Sequence, residues 1–266
     1  MTLSRRDFLR LGGAAMLGLA ARNFLPALQQ TTPLAPTIWH GSRRHRYVAL
    51  TFDDCAKLDR VQELEQIISS YPEVKITIFP LGQALVDLES FDPGIWKRFF
   101  DKGHDIGYHS WNHTNLAVMS PEGAIADYDR WHDALGSVLG VEPNVRFARP
   151  PYGVLSYSFD VMCKARGLVA TMWSAAGGGE TSVVMKNTFG KIQNGDIVLL
   201  HTRNITQEDY VSTDMDTTKL AIPYLIEQGM PMVTLSKLYD DLLREQNQSD
   251  GCDVGAGNSA TRTCID

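Results

Sequence analysis

The sequence predicts an α/β fold: a distorted (β/α) barrel of seven parallel strands in a single domain. Three observations predict it. Short β-branched or apolar runs alternate with segments of helical spacing over residues 47–245. Strand-helix units of this length join parallel strands by right-handed crossovers. The turn after the first run reads Asp53-Asp54-Cys55, whereas an open doubly wound sheet would carry a glycine-rich phosphate turn there. That turn also speaks against a nucleotide ligand. With 266 residues, 44% apolar and 21% charged, the chain suits one well-cored domain, which excludes wholesale disorder and a multi-span membrane protein.

The elements follow in chain order. Residues 1–27 contain Ser4-Arg5-Arg6-Asp7-Phe8-Leu9-Arg10 and then the uncharged stretch Leu11–Ala21. That is a twin-arginine export pattern with an apolar core too short to span a bilayer, so an exported protein is expected: extracellular, periplasmic or cell-surface. Contact with a membrane would come only through an uncleaved signal anchor; an amphipathic surface helix is the alternative. Residues 28–46 are a Pro-containing linker ending in Arg43-Arg44-His45-Arg46. The strand runs are Tyr47–Phe52, Val74–Phe79, Asp105–His109, Val145–Ala148, Leu168–Trp173, Ile197–Leu200 and Met232–Leu235. Leu58–Ser69 places Val61, Leu64, Ile67 and Ile68 on one helical face. Ser120 is an N-cap with Pro121 at the first helical position and Gly140 past the end. Thr217–Gln228 stops at Gly229 with Pro231 beyond, and Ser236–Gln246 is the last helix. Residues 246–266 form a polar tail in which Cys252 and Cys264 either close a small disulfide loop or remain free thiols. Cys163 reads as a core side chain.

Net charge is −6, and without residues 1–27 the remainder carries 21 basic against 30 acidic side chains, or −9. An acidic body does not neutralise phosphates, so no nucleic acid partner is expected. A monomer is expected.

Chemistry-bearing residues gather at strand ends, where the loops of a parallel barrel converge. Asp53 and Asp54 end the first strand, His109 and His113 the third, Arg149-Pro150-Pro151-Tyr152-Gly153 the fourth, Trp173 the fifth and His201 the sixth. Asp54 with the two histidines suits Zn²⁺ or another divalent cation such as Co²⁺, leaving positions open for water and substrate. Two histidines four apart also arise by chance on a surface. Asp53 is placed to accept a proton from water and His201 to deliver one to a leaving group; a helix cap and a hydrogen-bonded strand-end histidine are their plainer alternatives.

These residues, in this order, resemble the polysaccharide deacetylase family, carbohydrate esterase family four. The matching motifs are Thr51-Phe52-Asp53-Asp54-Cys55, His109-Ser110-Trp111-Asn112-His113, Arg149-Pro150-Pro151-Tyr152 and Leu199-Leu200-His201, spread over residues 47 to about 240. The resemblance implies a metal held by Asp54, His109 and His113, Asp53 as general base and His201 as general acid. It further implies that Arg149 holds Asp53 ionised, that the Tyr152 backbone N–H stabilises the oxyanion, and that Trp173 and Leu199 wall an acetyl pocket. The implied reaction removes N-acetyl groups from an extracellular or cell-wall glycan such as an N-acetylglucosamine polymer. An amidase or esterase on another acylated substrate, or a weakened metal- and glycan-binding surface protein, are the alternatives. The chain departs from the family twice. Cys55 replaces the glycine closing the first motif. The segment Trp173-Ser174-Ala175-Ala176-Gly177-Gly178-Gly179-Glu180 lacks the family's aspartate partner for the catalytic histidine, leaving Glu180 as the expected substitute.

Overall fold

A computed structural model describes residues 35–207 and 210–252. The expected export segment lies outside the described residues. So does the Cys252–Cys264 pairing, although the backbone of Cys252 ends the last helix.

The described chain runs β1 (Thr37–Ile38), β2 (Ala49–Asp54), α1 (Leu58–Ser69), β3 (Thr77–Pro80), α2 (Gly82–Phe91), α3 (Ile95–Asp101), β4 (Asp105–Ile106) and α4 (Pro121–Leu139). It continues through β5 (Phe147–Ala148), α5 (Tyr157–Arg166), β6 (Val169–Thr171), β7 (Ala175–Ala176), α6 (Thr181–Asn187) and β8 (Ile197–His201). A hairpin, β9 (Asn204–Gln207) and β10 (Tyr210–Thr213), precedes α7 (Asp214–Glu227) and α8 (Leu235–Cys252).

The parallel α/β architecture is present. The continuous seven-strand barrel is not, among the described residues. Strands divide into a five-stranded parallel sheet, β4-β3-β2-β8-β7, and a three-stranded one, β1-β6-β5, with the antiparallel hairpin apart. The outer strands β4, β5 and β7 are two residues long, too short to carry a ladder across. A single parallel bridge, Tyr108 to Ala148, links the β4 and β5 segments. The expected strand Met232–Leu235 contributes one bridge, Met232 to Val48, before α8 begins at Leu235. Strand β1 arises inside the expected linker, and α8 continues past the expected end at Gln246.

Where local signals were strong, the elements match them. Helix α1 buries Val61, Leu64 and Ile68. The Ser120 hydroxyl accepts the Gly123 N–H at 3.1 Å, Pro121 opens α4, and Gly140 closes it at φ 68°. Central strand β2 lies between β3 and β8 with its first five residues buried. No helix among the described residues is long and apolar enough to cross a membrane.

Beneath this sheet, His104 is buried and its Nδ1 accepts the Ile76 N–H at 3.2 Å. Burial, aided by the charges of Lys75 and Lys102, pushes its pKa down to about 4. The folded protein therefore binds this proton less readily than the unfolded chain. The associated stability is present above about pH 6.5 and is lost as pH falls toward 4, by about 3 kcal/mol in full. His104→Asn, whose side-chain oxygen can accept the same N–H, is expected to show a shallower fall in melting temperature between pH 7 and 4. Parallel curves for the two proteins would contradict this.

Candidate active site

The site forms where β2, β8 and the loops after β4 and β5 come together. Asp53 and Asp54 are consecutive residues of β2; Asp54 turns out of the strand at a φ of 69°, so both carboxylates come near His109 Nε2, at 3.7 and 3.6 Å. Asp53 pairs in register with His201 of β8 on one side and with Phe79 of β3 on the other. Non-glycine residues in the left-handed region are Asp54 (φ 69°), Cys55 (48°), Ser110 (65°), His113 (61°) and Tyr152 (60°). All five belong to the first three motif segments. Such residues cost about 1–3 kcal/mol each and persist where surrounding contacts hold them.

Asp54 Oδ1 lies 3.6 Å from His109 Nε2 and 3.4 Å from His113 Nε2. One donor atom from each of the three residues fits within 4.8 Å of the others. His109 Nδ1 is 2.8 Å from the Arg149 carbonyl, which can only accept, so Nδ1 carries the hydrogen and Nε2 presents its lone pair. Asp54 Oδ1 is buried without a hydrogen-bond partner. An orphaned carboxylate oxygen between two imidazole nitrogens fits a divalent cation, and the ligand set matches open zinc sites. Burial opposes ionisation of Asp54, but the His109 contact and the charges of His109, His201 and His113 outweigh it and bring its pKa down to about 2. Burial also opposes protonation of His109; Asp53 and Asp54 overcome it and raise its pKa. At His113 burial prevails, helped by the charge of His109, and the pKa is lowered despite Asp54.

Asp53, 3% exposed, receives Arg149 Nη1 on Oδ1 at 2.7 Å. Arg149 is fully buried and also donates to Thr51 Oγ1 (2.8 Å) and to the carbonyls of Thr171 (3.2 Å) and Met172 (3.1 Å). The guanidinium stacks over the Phe79 ring at 4.4 Å. A buried ion pair repays desolvation when its remaining donors are satisfied, as here.

The expected shortage at His201 is corrected by Asp214. This residue opens α7, is fully buried, and sets Oδ2 3.3 Å from His201 Nδ1. The same oxygen accepts the His201 backbone N–H at 2.9 Å, while Oδ1 accepts Gly178 N–H at 2.7 Å. With Nδ1 facing a carboxylate, Nε2 is the nitrogen available to a substrate. Glu180, the expected substitute, is exposed and stands at the start of α6. Gly177 makes the arrangement possible, since a Cβ there would lie 2.7 Å from Asp214 Oδ1 and 2.6 Å from Leu200 Cδ2. Sequence reasoning missed Asp214 because α7 was expected to begin three residues later, at Thr217. An acidic residue in a first helical turn is also common for the dipole alone.

A cleft of about 250 Å³ opens over these groups. Asp53, Asp54, His109, His113, His201, Tyr152, Trp173 and Leu199 all line it. Arg149 lies beneath it. The Tyr152 side chain is exposed and its ring meets His113 edge-on at 4.4 Å. Arg203 also lines the cleft and was not expected from the sequence. The His109–His113 loop is fastened from behind: Asp127 of α4 accepts Tyr108 Oη at 2.6 Å and Trp111 N–H at 2.9 Å. Trp111 is packed inside, with the Arg130 guanidinium 3.5 Å above its ring. Cys55 is buried with Sγ directed at the Phe52 carbonyl, 3.7 Å away, and is no part of the ligand cluster.

The sequence profile described as polysaccharide deacetylase matches residues 40–170. A peptidoglycan-N-acetylglucosamine deacetylase from Listeria monocytogenes is 28% identical over 207 residues, covering 76% of this chain and 41% of that one. The aligned part is thus about two fifths of that relative's length. A crystal structure of a peptidoglycan N-acetylglucosamine deacetylase in complex with an N-hydroxybenzamide derivative has a TM-score of 0.65 and 25% identity, covering 77% of this chain and 92% of that one. A carbohydrate esterase family four pseudoenzyme from Bacillus anthracis has a TM-score of 0.64 and 20% identity, covering 79% of this chain and 70% of that one. At that identity it speaks for the fold alone.

Proposed function

The chain belongs to the polysaccharide deacetylase family, and from that premise we propose that it is a metal-dependent hydrolase removing N-acetyl groups from a cell-wall or extracellular glycan after twin-arginine export. The observation that carries this reading is the orphaned Asp54 Oδ1 facing two imidazole nitrogens, with Asp53 and His201 on neighbouring strands. Asp54, His109 and His113 would hold Zn²⁺ or Co²⁺. The ion supplies Lewis acidity, polarising the acetamide carbonyl and acidifying a water.

The protein's own groups do the rest. Asp53 accepts the proton of the attacking water. Arg149 fixes the direction of that carboxylate through Oδ1, leaving Oδ2 toward the cleft side, 3.7 Å from His109 Nε2. As the carbon–nitrogen bond breaks, His201 donates a proton to the departing amine, with Asp214 holding its ring and tautomer. The Tyr152 N–H, turned by a φ of 60°, donates to the developing oxyanion. Leu199 and Trp173 enclose the acetyl methyl. Gly153, also at positive φ, permits this wall, since a Cβ there would come within 2.7 Å of Trp173 Cη2.

The test is acetate release from N-acetylglucosamine oligomers by zinc-loaded protein. Chelation is expected to stop it and zinc to restore it. Asp53→Asn is expected to reduce the rate by about 10³-fold while one equivalent of zinc still binds. Undiminished acetate release after chelation and dialysis would refute the reading.

A further inference from the structure

Two segments leave the cleft together. One runs from His113 to Val118 and the other from Tyr152 to Tyr157, the same number of residues in each. They touch at the inner end, where the Tyr152 ring meets His113 at 4.4 Å. They are tied again at the outer end, where the Ser158 hydroxyl donates to the Met119 carbonyl at 2.7 Å and the single 3₁₀ turn Leu116–Val118 packs on α5. Val118 directly precedes one partner of that bond and Tyr157 the other, which brings both to the same end of the ribbon. Such a segment spans at most about 18 Å, so its outer end stays within reach of a polymer whose reacting sugar occupies the cleft.

The ribbon presents apolar surface to solvent. Val118 is 78% exposed, Tyr152 68% and Tyr157 56%, three of the four most exposed large apolar side chains among the described residues. Neither residues 114–121 nor residues 150–159 include an acidic or basic side chain, in a chain with 21% charged residues. Their polar groups are hydroxyls and an amide, on Thr114, Asn115, Ser120, Ser156 and Ser158. The backbone beneath is fixed: Asn115 Oδ1 accepts the Ala117 N–H at 3.0 Å, Ser156 Oγ accepts the Phe159 N–H at 3.2 Å, and Leu116 is buried. Exposed apolar surface that continues a binding cleft marks a contact site. An uncharged strip of this kind fits the face of a sugar ring, whose C–H groups rest on a tyrosine while its hydroxyls meet polar neighbours. A nucleic acid would need cations here, and the strip has none.

Resting on the deacetylase reading of this cleft, we propose that Val118 and Tyr157 form a second sugar site, joined to the cleft by Tyr152, which holds a sugar of the same glycan chain beyond the one being deacetylated. The site makes the protein a reader of chain length. A short oligomer fills the cleft alone, whereas a longer one also covers the outer strip. Nothing on the strip touches the reacting atoms, so the interaction is the same in the bound substrate and in the transition state. KM therefore falls with chain length while kcat holds.

The experiment uses N-acetylglucosamine oligomers of increasing length, from the disaccharide to the hexasaccharide. For each, kcat and KM are measured with zinc-loaded protein, and a dissociation constant is measured with metal-free protein. The wild type is expected to bind the longest oligomer about tenfold more tightly than the shortest, with a matching ratio in KM. In Tyr157→Ser that advantage is expected to shrink to about twofold, while zinc content and kcat/KM on the shortest oligomer stay at the wild-type level. Val118→Ser is expected to show a smaller loss of the same kind, and Tyr157→Trp to keep the advantage. Both positions are exposed, so the variants should fold as the wild type does. Identical length profiles in the wild type and both serine variants would overturn the proposal. So would a loss shared equally by short and long oligomers. Self-association of the wild type in sedimentation, abolished by Tyr157→Ser and accompanied by no length dependence, would also overturn it and make the strip a contact between copies of the chain. Absence of acetate release from every oligomer would instead strike the deacetylase reading, while the metal-free binding ratios would still decide the role of the strip.

Discussion

Asp54→Ala is expected to abolish zinc binding and acetate release together, reducing activity to the level of the chelated wild type. Asp54 is the only carboxylate in the three-ligand cluster. Its pKa of about 2 keeps it ionised across any working pH, so it supplies the only full negative charge among the donors. The two histidines that remain are neutral donors with a gap where Oδ1 stood. Calorimetry provides a second readout. A ligand at 100 times its dissociation constant adds about 2.7 kcal/mol to folding stability. Zinc should therefore raise the melting temperature of the wild type and leave that of Asp54→Ala unmoved. A variant that retained stoichiometric zinc would show that the ion sits elsewhere.

The second large effect is expected at Asp214. Asp214→Asn should lower kcat by about 10²–10⁴-fold, with KM and zinc content little changed. The native carboxylate accepts three N–H groups: two on Oδ2, from His201 Nδ1 and the His201 backbone, and one on Oδ1, from Gly178. An amide has one oxygen to offer, so at least one of these donors must face an NH₂ group. The imidazole then loses the partner that fixes its tautomer and direction. Gly177→Ala tests the same feature from the opposite side. Its new methyl group would press on Asp214 Oδ1 and Leu200 Cδ2, and a smaller fall in kcat is expected, again with zinc retained. If Asp214→Asn kept full activity, His201 would not act through this contact.

The site was legible to the extent that it is written in contiguous segments. Asp53-Asp54, His109 with His113, and the Arg149–Tyr152 turn announce themselves by spacing, and the structure brings all of them to one cleft. The pairing of Arg149 with Asp53 was expected from the family resemblance alone, since 96 residues separate the two; the structure sets them 2.7 Å apart. Asp214 and Arg203 were not legible. They stand on either side of the β9–β10 hairpin, which the sequence reading did not foresee. Residues 204–213 carry no strong apolar alternation in the sequence; their strands pair with each other, and Val211, Ser212 and Thr213 make contacts to Gly179. Thr213 and Ser212 bind Gly179 and Arg203 respectively, so the hairpin carries an anchor for the cleft arginine and leads directly into the helix that bears Asp214.

The fold divides in the same way. By itself the sequence determined the alternation of parallel strands and helices and the limits of α1 and α4, because each depends on periodicity, caps or neighbours within a few positions; it also singled out Asp54, His109 and His113, which the structure brings within 4.8 Å of one another. Only the tertiary structure decided how the strands are shared between two parallel sheets and a hairpin, which carboxylate serves His201, and that a second guanidinium borders the cleft. Those outcomes depend on hydrogen bonds and charges meeting across chain separations that no local pattern records. His201 and Asp214 lie thirteen residues apart in sequence, yet share one carboxylate oxygen across 3.3 Å.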